Sequence, residues 1–179
     1  MPRSTEPADR APAGSLPSRA QLVSCAHCGR RNRVAVAGRG VPRCGDCRNP
    51  LPWITDAADA DFAEIAERAT IDVLVDVWAP WCPLCRRANP AMQRLACIRA
   101  GELKLVQVDV TRAPLLQQRF AIEAVPTLML MRGPAILAYC AGAPPEPSLR
   151  AWLERASQAA VPEQDLRNGV RQPLGTPLF

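Results

Sequence analysis

The chain has 179 residues, 48% of them hydrophobic and 22% charged, which suits one domain with a small appendage and excludes wholesale disorder. Its eight cysteines are too sparse for a disulfide scaffold, no run of about 18 apolar residues offers a membrane span, and the opening MPRSTEPADRAPAG has no apolar stretch for a secretory signal. Charge is uneven: residues 1–53 balance at +6 and residues 54–179 at −1.

Residues 1–20 hold four Pro, four Ala and three Ser with Leu16 as the one large aliphatic after Met1, so a flexible tail is expected. Residues 21–50 are basic and show almost no aliphatic periodicity, yet they hold Cys25-Ala-His-Cys28 and Cys44-Gly-Asp-Cys47. Two C-x2-C knuckles about 15–20 residues apart are the pattern of a zinc ribbon, each knuckle turning two thiolates toward one tetrahedral ion. A segment without a core needs such an ion, whose binding contributes on the order of 10 kcal/mol. One structural zinc on Cys25, Cys28, Cys44 and Cys47 is therefore expected, with Gly29 and Gly45 at the tight turns and His27 outside the completed shell. Nine arginines precede Pro52 without one aromatic side chain to stack on bases, which argues for a solvated basic face and against a nucleic-acid partner. Asn49-Pro50-Leu51-Pro52 reads as a stiff linker.

From 51 to 160 the pattern is that of an α/β domain with a central mixed sheet flanked by helices. A short strand is expected near Ile54, then a helix capped by Asp56 or Asp59 with Phe62, Ile65 and Ala66 inward. A buried strand Ile71–Ala79 leads to a helix over 83–99 bent at Pro90. A second buried strand over 103–110, a helix over 114–120, paired strands from Pro126 and Ala135 about the turn at Gly133-Pro134, and a helix over 148–159 complete it. Residues 161–179 read as a loose tail.

The second cysteine pair lies in Trp78-Ala-Pro-Trp81-Cys82-Pro-Leu-Cys85, where a strand hands over to a helix. There a C-x-x-C reads as a redox motif. The helix N-terminus favours thiolate at Cys82, Pro83 costs nothing in the first turn, and Cys85 faces the same side and can close a disulfide. The lowered pKa itself does little. Moving a thiol from about 8.5 to about 7 raises its thiolate fraction roughly 16-fold and lowers its nucleophilicity roughly fivefold, a net gain of about threefold. The rest must come from docking the target and from Cys85 resolving the mixed disulfide at close range.

Asp76 in VLVDVWAPWC, Trp81-Cys82 with Cys85, Pro90, Val125-Pro126-Thr127 and Gly142 occur in the order and spacing of a thioredoxin, which this region resembles. With the ribbon, the whole chain resembles the zinc-binding thioredoxin-2 type, over about 135 residues. The resemblance implies a thioredoxin fold and a protein-disulfide reductase. Cys82 would be the exposed nucleophile, Cys85 the buried resolving thiol, and Asp76 the buried acid that takes the proton of Cys85. Trp81, Val125, Pro126 and Gly142 would form the substrate face, with Pro126 as a cis-proline. It implies protein disulfides as substrates and an NADPH-dependent thioredoxin reductase as partner. With no secretory signal visible, the expected location is the cytoplasm, a reducing compartment in which clustered cysteines more often carry metal or redox chemistry than structural disulfides. Two departures stand out. Pro83-Leu84 replaces the usual Gly-Pro, which shifts the expected potential upward, and Gln107 stands where a lysine usually faces the buried acid. A ribbon that senses oxidants, or a chaperone or partner-binding module with secondary redox activity, is the alternative function. Cys97 and Cys140 read as buried structural thiols.

Overall fold

The computed structural model describes residues 19–159. Strands β1 (Ala20–Ser24) and β2 (Arg31–Ala35) form an antiparallel pair in the cysteine-bearing segment. They are followed by β3 (Trp53–Ala57), β4 (Asp72–Trp78), α1 (Pro83–Ile98), β5 (Leu103–Asp109), α2 (Pro114–Arg119), β6 (Thr127–Arg132), β7 (Ala135–Ala141) and α3 (Glu146–Ser157). The five-stranded sheet has the order β3-β5-β4-β6-β7, parallel across its first three strands and antiparallel across its last two.

Side-chain alternation divides the core into two layers. Val73, Val75, Val77, Val106, Val108, Met129 and Met131 face one side, with Phe62, Ile65, Leu116 and Phe120 packed on them. Leu74, Leu103, Leu105, Leu128 and Leu130 face the other, covered by Met92 and Leu95 of α1 and by Leu149, Trp152 and Leu153 of α3. The central strands are apolar on both faces because both are covered, as a largely parallel sheet requires. Asp76 breaks the run; two residues on from Leu74, it shares that residue's face on the α1 side. Helix α1 runs on through Pro90.

Two local expectations are corrected. The helix expected after β3 is a single π-helical turn, Ala63–Glu67, and neither acid caps it. Asp56 belongs to β3, while the Asp59 carboxylate accepts the Leu115 and Leu116 amides at 3.1 and 2.8 Å and so caps α2. Beside this turn the buried Lys104 ammonium donates to the Ile65 carbonyl at 2.6 Å.

The presumed linker is also packed. Leu51 is 1% exposed and joins Cys25, Val34, Cys44 and Trp53 in a small third core, its amide bonded to Pro42 O at 2.8 Å. Gly101, at φ +94°, closes on Pro50, where a Cβ would come within 3.0 Å of the ring; only a glycine serves both demands. Trp53 Nε1 donates to Ala35 O at 2.8 Å, and Lys104 Nζ spans from Val36 O at 2.8 Å to the Ile65 carbonyl, 3.7 Å over the Trp53 ring. The cysteine-bearing segment is thus fastened to the start of the sheet, at the end opposite Cys82.

Gly45 lies in the turn over 45–47 within the second knuckle, as expected, and the left-handed residue of that knuckle is Arg48 (φ 63°), the counterpart of Gly29 (φ 73°). Arg48 N and Gly29 N bond back to Cys44 O and Cys25 O at 3.1 and 2.9 Å, the same turn in both halves. A glycine search misses a turn whose left-handed residue is an arginine.

Candidate functional site

Cys82 caps α1 and is disulfide-bonded to Cys85. Its Sγ accepts the Cys85 amide at 3.1 Å, one of the orphan donors at the helix start. That contact and the dipole favour negative charge on this sulfur once the bond is reduced. Cys82 and Cys85 are 3% and 2% exposed, so the unequal exposure that the resemblance implies is not a property of the disulfide form. Trp81 beside them is 68% exposed and Leu84 52%, an apolar rim around the sulfurs.

The Val125–Pro126 bond is cis, and Val125 O lies 3.7 Å from Cys82 Sγ. Gly142 N donates to Pro126 O at 2.8 Å, at a left-handed φ of 95°, which ties the loop after β7 to the loop before β6. Trp81, Val125, Pro126 and Gly142 thus come from three separate loops.

Asp76 is 1% exposed. Burial pushes its carboxyl up to about 6, against a hydrogen bond from Gln107 Nε2 to Oδ2 at 3.3 Å that favours the anion. Its other oxygen, Oδ1, has no protein partner. Gln107 lies directly across the register on β5 and also lines a cavity of about 260 Å³ with Trp78, Asp56 and Arg112 at its walls. The buried acid therefore reaches a polar hollow through one amide.

At the far end of the sheet the sulfurs of Cys25, Cys28, Cys44 and Cys47 lie within 4.8 Å of one another, with Cys25–Cys47 and Cys28–Cys44 each at 3.6 Å. Metal–sulfur bonds of about 2.3 Å in a tetrahedron put the sulfurs about 3.8 Å apart, so the four positions fit one ion of zinc's size and softness. The amides of Cys47 and Asp46 hold the Cys44 thiol down to about 6, and the backbone and side-chain amides of Asn49 lower Cys47, while Cys28, against a lowering contact from the Arg30 backbone, is pushed up to about 12 by burial and the neighbouring sulfurs. The donors at Cys44 and Cys47 suit thiolate ligands. His27 is not part of the cluster.

Of the two remaining thiols, Cys140 is buried as expected, whereas Cys97 is exposed near the end of α1. The sequence reading gave no role to Asn32, Asn49 or Lys104. That Lys104 is the one lysine in an arginine-rich chain was the available signal, since burial suits the readily neutralised ammonium better than a guanidinium.

The thioredoxin family model matches residues 53–155. Among characterised proteins, Thioredoxin C-3 of Corynebacterium nephridii is 30% identical over 141 residues, 76% of this chain and 96% of that protein. The chloroplastic Thioredoxin M4 of Arabidopsis thaliana is 29% identical over 144 residues, 79% of this chain and 75% of that protein. A thioredoxin of Haemophilus influenzae is 32% identical over 97 residues, 54% and 91% respectively.

Proposed function

This chain belongs to the thioredoxin family and is a protein-disulfide reductase, and from that premise we propose that Cys82 and Cys85 carry the reaction while the four ribbon cysteines hold one structural zinc ion. The observation that carries the reading is the Cys85 amide on Cys82 Sγ at the start of α1, with Asp76 buried in the strand that leads to it.

The reduced Cys82 thiolate attacks one sulfur of a protein disulfide. A mixed disulfide forms and the other substrate sulfur leaves as thiolate. Cys85 then gives its proton to Asp76, attacks Cys82 Sγ and forms the Cys82–Cys85 disulfide as the second substrate thiol departs. Two electrons have passed to the substrate. Asp76 serves as base because its carboxyl, raised to about 6, is ionised at neutral pH yet still binds a proton readily. The Trp81 rim receives the apolar part of the target. The Val125 carbonyl and the loop of Gly142 give an extended substrate segment a backbone to lie along.

Regeneration falls to a thioredoxin reductase, and a reducing compartment such as the cytoplasm fits six free thiols, four of them clustered. Among the described residues no helix is long and apolar enough to cross a membrane. Zinc on Cys25, Cys28, Cys44 and Cys47 would supply charge neutralisation and cross-linking, and no step of the disulfide exchange passes through it. Insulin-disulfide reduction tests the pair: Cys82→Ser abolishes it, and retained turnover would refute the assignment. Zinc content tests the ribbon: one ion per chain is expected, lost in a Cys25→Ser/Cys28→Ser variant.

A further inference from the structure

Two asparagine side chains reach the four-sulfur cluster, and one of them binds both halves of it. Asn32, on β2 just after the first knuckle, donates from Nδ2 to Arg30 O at 2.8 Å and to Cys44 Sγ at 3.6 Å. Its Oδ1 accepts the Gly45 amide at 3.0 Å. One planar amide therefore joins the strand leaving Cys25 and Cys28 to the turn that carries Cys44. Asn49 Nδ2 lies 3.4 Å from Cys47 Sγ and performs the single-sulfur version of the same contact. The wider surroundings are sparse. The local core is five buried side chains, two of them cysteines that belong to the cluster, so little else fixes the distance between the knuckles.

We propose that Asn32 is the positioning residue of the metal site, a strut that sets the spacing of the two knuckles and hydrogen-bonds a ligand sulfur, with Asn49 as a second donor to sulfur. This rests on the zinc reading above. An N–H aimed at a coordinated thiolate withdraws charge from it, which makes the sulfur a poorer nucleophile toward oxidants. The link to Gly45 restrains the second knuckle from swinging away when one metal–sulfur bond opens. Both effects slow loss of the ion, and partners of this kind typically change metal affinity by about 10–100-fold.

The test uses the full chain loaded with zinc, and follows transfer of the ion to a chromophoric chelator with and without peroxide. Asn32→Asp keeps an oxygen for the Gly45 amide, removes the donors to Arg30 O and Cys44 Sγ and adds a negative charge beside that sulfur, so Asn32→Ala, which loses the same donors without gaining charge, is read beside it. Release at least tenfold faster than wild type is expected, faster still in Asn32→Ala and intermediate in Asn49→Ala. The cobalt-loaded chain gives a second reading: the sulfur-to-cobalt charge-transfer band moves to lower energy in Asn32→Asp and Asn49→Ala, a shift that looser packing alone would not produce. Release from Asn32→Asp within twofold of wild type, or an unmoved band, overturns the inference. A wild-type chain that binds no zinc overturns the zinc reading and this inference with it.

Discussion

Gln107 Nε2 stands 3.3 Å from Asp76 Oδ2, and this neutral amide is the one side-chain partner of the buried carboxyl among the described residues. An amide donates a hydrogen bond without supplying charge, so desolvation dominates and the carboxyl is held near 6.

Asp76→Asn stabilises the protein at neutral pH. The folded-state pKa lies above the ordinary value of 3.8, so the native state binds the extra proton between about pH 4 and 6, and stability falls as pH rises through that window. The penalty at pH 7 is of order 3 kcal/mol, which chemical denaturation of wild type and variant at pH 4 and pH 7 would read. The same variant slows resolution of the mixed disulfide at pH 7 and removes the inflection near pH 6. Equal stability at the two pH values would contradict the assignment.

Gln107→Lys brings an ammonium beside the carboxylate. Opposite charge at hydrogen-bond distance favours the anion, so the Asp76 titration moves to lower pH by one to three units in order of magnitude. A carbonyl-carbon NMR titration follows it directly. An unmoved midpoint would show that the side chain at 107 turns away from Asp76.

Burial pushes the Lys104 ammonium down to about 7. The unfolded chain therefore holds more protons between about pH 7 and 10.5, and this residue makes stability rise with pH across that range. Lys104→Met removes that slope relative to wild type. It also frees the Val36 and Ile65 carbonyls, so limited proteolysis cuts the ribbon away faster. A ribbon equally resistant in the variant would assign the fastening to Trp53 and Leu51 instead.

Pro83-Leu84 between the cysteines gives a potential above about −270 mV, with each 30 mV corresponding to about 1.4 kcal/mol between dithiol and disulfide. Equilibration with a glutathione series measures it. The double change Pro83→Gly, Leu84→Pro lowers the value toward the reducing norm. A wild-type value already there would remove the dipeptide from the explanation.

Most of the sheet was legible because its strands are apolar on both faces and bounded by Gly and Pro, as in Ile71–Ala79 and at Gly133-Pro134. That Cys82 meets Cys85 and that the four ribbon cysteines gather was legible from their spacing, for the first pair together with its place where a strand hands over to a helix. What escaped depended on contacts distant in sequence. Asp59 caps α2, which starts at Pro114, and Lys104 reaches from β5 to the Ile65 carbonyl in the helical turn at Ala63–Glu67. Leu51 became core because the ribbon folds back on it. Asn32 looks like an ordinary strand residue until Gly45 and Cys44 arrive beside it. No local pattern encodes such meetings.

In the proposed mechanism Cys82 attacks and Cys85 resolves. Incubating the Cys85→Ser variant with a protein disulfide and mapping the trapped species by mass spectrometry tests it most directly. A stoichiometric mixed disulfide on Cys82 that persists until an external thiol is added is expected, and none in Cys82→Ser. A trapped species on Cys97 or on a ribbon cysteine, with Cys82 free, would contradict it.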